Sequence, residues 1–197
     1  MSEIDLAGNG ILFPAQAATQ VAIASVTEIS PEARLVVRVR NGDQDAFGEL
    51  YSRYAAMVHG ILLARVPRVE VDDLAQDVFL SAYKNLGSLR NSNAFGPWLA
   101  MITRNRAMEF YRREKKTEEL VDDVPVRASS LTEATEVLTI IRSLPDAYKE
   151  TLVLRLVEGM TGPEIAERTG LKPDSVRVNL HRGMKLLREK LGIGVRS

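Results

Sequence analysis

The sequence predicts an all-α protein of two small helical domains joined by a flexible linker, the C-terminal one a helix-turn-helix. Three observations predict it. Apolar residues recur at three- and four-residue steps along almost every periodic stretch, no alternating strand pattern competes, and an aperiodic segment containing Pro125 breaks the 197-residue chain beyond its middle. With 45% hydrophobic and 26% charged residues the chain can bury a core in each half.

Composition excludes several function classes. There are no cysteines, which removes disulfides, thiolate metal sites and cysteine nucleophiles. His59 and His181 are the only imidazoles and lie far apart in sequence, and no Gly-rich phosphate loop occurs. The expectation is a protein that is not an enzyme and holds no cofactor or metal. No apolar run approaches the ~18 to 20 residues of a membrane span. Residues 1–31 carry Glu3 and Asp5 where a signal peptide needs Lys or Arg, and Gly8, Gly10 and Pro14 interrupt the apolar stretch. They read as a flexible extension of a cytoplasmic protein.

Each element has a local reason. After Ser30-Pro31, residues 32–41 place Ala33, Leu35, Val36 and Val39 near one face, and Gly42 is a natural stop. Asp43 caps a helix running to about Val66, with Phe47, Leu50, Tyr54, Val58, Ile61 and Leu62 inward, and Pro67 ends it. A third helix over about 71–86 turns Leu74, Val78, Phe79 and Ala82 inward and Asp72, Asp73, Gln76 and Asp77 outward. Leu89 to Asn93 form a polar loop before a helix over about 93–116 that buries Phe95, Trp98, Leu99 and Ile102. The linker covers 117–131. A helix then begins at Thr132, and Pro145 sits at the first turn of the next, which Gly159 ends. Thr161-Gly162-Pro163-Glu164 has capping-box spacing, Gly170 suits a tight turn, and Pro173 opens a last helix with Val176, Leu180, Met184, Leu187 and Leu191 inward.

Lys+Arg and Asp+Glu both total 26, but they are sorted into blocks. Residues 104–116 carry a net +4, residues 117–136 a net −5, and the chain from Arg168 to its end a net +6. Two basic segments separated by an acidic one suggest two anion-binding surfaces, although solvated helix faces give the same pattern. The segment from Thr161 to Leu191 sharpens this. It is a short helix, a turn at Thr169-Gly170-Leu171 and a longer basic helix, the layout of a helix-turn-helix. With Val176 and Leu180 inward, Arg177, His181 and Lys185 recur every four residues on an exposed stripe flanked by Arg182 and Arg188. Such a stripe offers bidentate Arg contacts to guanine edges and Lys contacts to phosphates.

DDLAQDVFLSAYKNL followed by LRNSNAFGPWLAMITRNRAMEFYRRE resembles the N-terminal conserved domain of extracytoplasmic-function (ECF, group 4) sigma factors of the sigma-70 family. SLPDAYKETLVLRLVEGMTGPEIAERTGLKPDSVRVNLHRGMKLLREKL resembles their C-terminal domain. The resemblance covers roughly 32–116, as a region 2-like domain, and 132–192, as a region 4-like domain, with 193–197 a tail.

The resemblance implies specific roles. Asp72, Asp73, Gln76 and Asp77 match the face that docks on the β′ clamp helices of RNA polymerase core. Arg90, Asn91, Ser92 and Asn93 match the loop that captures a flipped base of the −10 element, Asn93 being alternatively a helix cap. Arg104, Arg106, Arg112 and Arg113 would track phosphates of the opened strand, with Tyr111 or Phe110 available for stacking and Trp98 expected in the core. Arg177, Val178, His181, Arg182 and Lys185 would face the −35 duplex. The implied partners are core polymerase (β′ clamp helices and β flap), promoter DNA and an anti-sigma factor, with no membrane insertion and a monomer when free. Three departures bear on the −35 sequence: Val178 and Asn179 stand where the family commonly has Ser and Arg, and Lys172 replaces a capping Ser. Two other readings stay open at this level, a dimeric helix-turn-helix regulator and a sigma-mimicking decoy that binds an anti-sigma protein.

Overall fold

The computed structural model describes residues 30–118 and 133–193. The leader through residue 29, the acidic stretch 119–132 and the last four residues lie outside them, and with them most of the expected extension, linker and tail; residues 117–118, expected in the linker, end the fourth helix. All regular structure among the described residues is helical.

The first half is built from α1 (Pro31–Arg40), α2 (Gln44–Leu63), α3 (Val71–Asn85) and α4 (Phe95–Glu118). Ser30 caps α1, its Oγ accepting from the Ala33 N–H at 3.1 Å, and Pro31 is the first helical residue. Ser30 and Pro31, which the expected extension to residue 31 includes, thus cap and begin α1. The fixed φ and missing N–H of proline suit that position. Asp43 caps α2 through the Ala46 N–H at 3.1 Å. The helix stops at Leu63, short of the expected Val66, because Arg65 N–H turns back to Leu62 at 2.8 Å and Pro67 has no N–H to continue. The loop after α3 is two short 3-10 turns, Leu86–Ser88 and Ser92–Ala94.

The second half comprises α5 (Glu133–Arg142), α6 (Asp146–Leu156), α7 (Gly162–Thr169) and α8 (Pro173–Lys190). Pro145 caps α6 rather than entering its first turn. The capping box of α7 is complete: Glu164 N–H donates to Thr161 Oγ1, and Thr161 N–H donates to the Glu164 carboxylate at 2.8 Å. Gly170 then takes φ 75°, the left-handed conformation that ends the helix. Lys172 makes no side-chain cap to α8, as its replacement of Ser implies.

The expected inward residues form the core. Leu50, Val58, Ile61, Leu62, Val78, Ala82, Phe95 and Leu99 are fully buried in the first half, as are Leu152, Ile165 and Val176 in the second. Helix α6 is buried on all sides, from Glu150 through Leu154, because it lies between α2 and α8. That placement joins the two cores. Helix α6 packs on α2 and α7 packs on α4, so one apolar cluster runs through both halves. Small residues allow the approach. A Cβ on Gly60 would meet Leu154 Cδ2 at 2.7 Å, and one on Gly96 would meet the Arg168 carbonyl oxygen at 2.8 Å.

Candidate nucleic-acid interface

Helix α8 presents the residues expected on the duplex. Arg177, Val178, His181, Arg182 and Lys185 all face solvent, while Val176 and Leu187 are buried and Leu180 and Met184 partly so. Gly183 is buried because α8 crosses α6 there, where a Cβ would stand 3.0 Å from Leu152 Cδ1. The register of α8 is thereby held by packing, which leaves the opposite stripe exposed to solvent. Arg177 Nη2 lies 3.3 Å from Asp174 Oδ1, an exposed pair that a phosphate or a base edge can displace.

The second set of expected residues lies on the loop between α3 and α4. Arg90 and Asn91 are exposed, Ser92 is half-buried and Asn93 is exposed, between buried anchors at Leu89 and Phe95. Asn91, not Asn93, is the cap here, its Oδ1 accepting from Asn93 N–H at 3.0 Å. The Asn93 side chain instead accepts from Ser30 N–H at 3.2 Å, tying the loop to the start of α1.

The basic block on α4 divides. Arg112 and Arg113 are exposed, Arg113 pairing with Glu109 at 2.8 Å. Arg106 turns to α3, where it pairs with Asp77, and it also pairs with Glu109 one turn on along α4 at 3.0 Å. One member of the expected polymerase face and one of the expected strand-tracking set thus neutralise each other. The remaining Asp72, Asp73 and Gln76 are exposed on α3. Arg104 points into the other half, where Nη2 meets Glu150 Oε1 at 2.7 Å. Tyr111 donates to the Arg65 carbonyl at 2.7 Å, Phe110 is partly buried, and Trp98 packs beside Phe95 with ring centroids 5.9 Å apart.

Glu150 and Arg65 were not expected at this junction. Burial pushes the Glu150 carboxyl up, but hydrogen bonds and charge from Arg104 and Arg65 outweigh it and hold the group below its ordinary value. The available signal was a carboxylate at the start of the stretch ETLVLRL, directly before the inward residues of its helix. Arg142 also crosses to the first half, its Nε donating to the Leu63 carbonyl at 2.9 Å at the end of α2, where a cation is favoured. Burial lowers its pKa.

Comparison with known proteins decides the family. The sigma-70 region 2 model matches residues 50–117 and the sigma-70 region 4 model matches 134–187. The RNA polymerase sigma factor CarQ of Myxococcus xanthus is 33% identical, over 79% of this chain and 94% of CarQ. The chain belongs to the sigma-70 family, among the ECF sigma factors. The ECF RNA polymerase sigma-E factor of Haemophilus influenzae is 30% identical over 80% of this chain and 93% of that protein. Among solved sigma factors, CnrH in complex with the cytosolic domain of CnrY is similar at TM-score 0.58 and 26% identity, covering 82% of this chain and 97% of CnrH. RpoE of Bartonella quintana, in complex with the anti-sigma factor NepR, shares the fold at TM-score 0.51 and 20% identity, over 78% of this chain and 99% of RpoE. In this sigma factor the region 2 match spans most of α2 through α4 and the region 4 match spans α5 through most of α8, while α1 precedes both. No described helix is long and apolar enough to cross a membrane.

Proposed function

We propose that this group 4 sigma factor docks on core polymerase through Asp72, Asp73 and Gln76, reads a −35 duplex with α8 and opens the −10 element with the loop 89–93. The observation that carries the reading is the exposed stripe of Arg177, Val178, His181, Arg182 and Lys185 behind a completed turn at Gly170. The stripe reads an intact major groove, where Arg meets guanine edges and Lys meets phosphates. Arg90 and its polar neighbours hold a base once it leaves the stack, and Arg112 and Arg113 follow the phosphates of the opened strand. Asp77 joins the polymerase face if its pair with Arg106 parts.

Melting needs no covalent chemistry on this reading. A loop that accepts an unpaired base binds the opened state and not the duplex, so its binding energy shifts the equilibrium toward opening. Flipping costs a few kcal/mol, which stacking and phosphate contacts offset.

The two elements lie about 25 base pairs apart, about 85 Å of duplex at ~3.4 Å per pair. A compact body of ~150 residues has a radius of gyration of ~15 Å, hence a diameter of about 40 Å. The halves therefore part when both elements are held, and the tether between them keeps the second site at high effective concentration. In the cytoplasm the chain is a monomer when free and is sequestered by an anti-sigma protein; CnrH, solved with the cytosolic domain of a second protein, supports a protein partner of this kind.

The test is transcription in vitro with purified core polymerase on a randomised promoter library. Defined start points with two enriched upstream motifs are expected. Transcription without defined starts, or none at all, rejects the reading.

A further inference from the structure

The loop that carries Arg90 to Asn93 is held by a residue outside the matched regions. Arg40, the last residue of α1 and itself exposed, reaches the loop with its guanidinium. Nη2 donates to the Leu86 carbonyl at 3.1 Å and to the Leu89 carbonyl, and Nη1 lies 3.4 Å from Ser92 Oγ. At the other end of the same helix, Ser30 N–H donates to Asn93 Oδ1 at 3.2 Å. Ten residues of helix span about 15 Å, so α1 lies along the loop and fastens it at both ends.

Apart from these ties the loop is shaped by short-range bonds alone, among them Asn93 N–H to Asn91 Oδ1 at 3.0 Å and Ser88 Oγ to the Asn85 carbonyl at 2.7 Å. Leu86 and Leu89 are its buried anchors, and between and beyond them Gly87, Ser88, Arg90 and Asn91 are exposed. Its own backbone bonds are single 3-10 closures, Leu89 N–H to Leu86 and Ala94 N–H to Asn91. A guanidinium is a planar fork that bonds two carbonyls and a hydroxyl in fixed relative positions. A lysine ammonium is a point charge without that planar geometry.

We propose that Arg40 is a positioning residue for −10 recognition: it pre-forms the loop 86–93 so that Arg90 and Asn91 meet an unpaired base without first having to be ordered. This rests on the reading of the loop given above. A pre-formed receptor binds more tightly because ordering entropy is already spent, and it discriminates because its donors and acceptors cannot follow a wrong base. The identity of the residue at position 40 therefore tunes selectivity from a helix that never touches the base.

The experiment uses holoenzyme reconstituted with wild type, Arg40→Ala, Arg40→Gln or Arg40→Lys. Affinity is measured for fork-junction DNA carrying each of the four bases at the captured position of the −10 element. Amide exchange over 86–94 is read in parallel, with exchange in α2 and α4 and core-polymerase affinity as controls. Arg40→Ala and Arg40→Gln are expected to lose about tenfold in the ratio of best to worst base while exchange in the loop rises about tenfold and both controls hold. Arg40→Lys is expected to fall between them and wild type. Faster loop exchange with an unchanged base ratio overturns the proposal, leaving Arg40 a structural fastener only. Variants that lose the controls as well as the ratio also overturn it, since Arg40 then supports the whole domain. A wild-type holoenzyme that binds all four forks equally rejects the reading of the loop itself, which is a different result from either.

Discussion

Arg104 Nη2 stands 2.7 Å from Glu150 Oε1, and Arg65 Nη2 stands 2.6 Å from Oε2 of the same carboxylate, which is 4% exposed. One buried acid on α6 thus joins α4 and the turn after α2 in the first half to the second. Arg104, expected to follow phosphates, is occupied by Glu150 in this arrangement.

Glu150→Ala removes the shared partner of two partly buried cations. Breaking such a pair costs about 3–5 kcal/mol, and the residual exposure of both arginines puts the expected loss near the lower end. The urea midpoint should fall accordingly, and small-angle scattering should record a larger radius of gyration as the halves separate. Unchanged scattering would mean that apolar packing alone holds them.

Acid should loosen the same junction. The Glu150 carboxyl is held below its ordinary 4.5 in the folded protein, despite burial, by Arg104 and Arg65. Its stabilisation is therefore complete above about pH 4.5 and is lost as pH falls through the lower folded value. Asp43, held down by the Ala46 N–H, Asp146, held down by Lys149, and Glu164, held down by the Thr161 N–H, shift the same way. Stability should decline on acidification below that point, and Glu150→Gln should flatten the decline. Parallel pH profiles for the two proteins would remove Glu150 from the explanation.

Gly170 carries two constraints at once. It has φ 75°, and an added Cβ would stand 2.8 Å from Pro97 Cβ on α4. Gly42 has φ 93° with nothing within 4 Å of the same position. Left-handed strain costs about 1–2 kcal/mol at either site, so Gly42→Ala should lose about that much. Gly170→Ala should lose more, because backbone and ring must also move. Equal thermal shifts for the two variants would show that the α4–α7 contact yields without cost.

Arg177→Ala separates reading from gripping on α8. If Arg177 bonds a base edge, binding to the preferred −35 sequence weakens by about 1–3 kcal/mol and that position relaxes. An equal loss on every duplex would assign Arg177 to phosphate.

Periodicity and caps determined most of the local structure without help from tertiary contacts. Ser30, Asp43, the Thr161–Glu164 box and Gly170 act within a few residues of themselves, and the apolar stripes state which helix face is inward. Surface residues of α8 and α3 were legible for the same reason, since a 3.6-residue repeat that buries one face exposes the other. Asn91 displaced Asn93 as the loop cap because a two-residue Asx turn and a helix cap differ by nothing visible in RNSN.

Contacts over long separations were not legible. Nothing in ETLVLRL names Arg65 or Arg104 as partners, and nothing in RVRNGD names Leu86 and Leu89 as the carbonyls that Arg40 holds. A charge that helical periodicity turns inward signals a buried partner but not which one, because the partner is chosen by how helices cross. Among the described residues, sequence by itself determined eight α-helices, most of the caps between them, the faces they bury and the basic stripe that α8 leaves outside. Tertiary structure decided that α6 lies between α2 and α8, and therefore that the halves share a core, that Arg104 and Arg106 are paired inside the molecule, and that α1 braces the loop. The physical reason is range: caps and amphipathic faces are set within one or two helical turns, whereas close packing and buried charge pairing depend on surfaces brought together from distant parts of the chain.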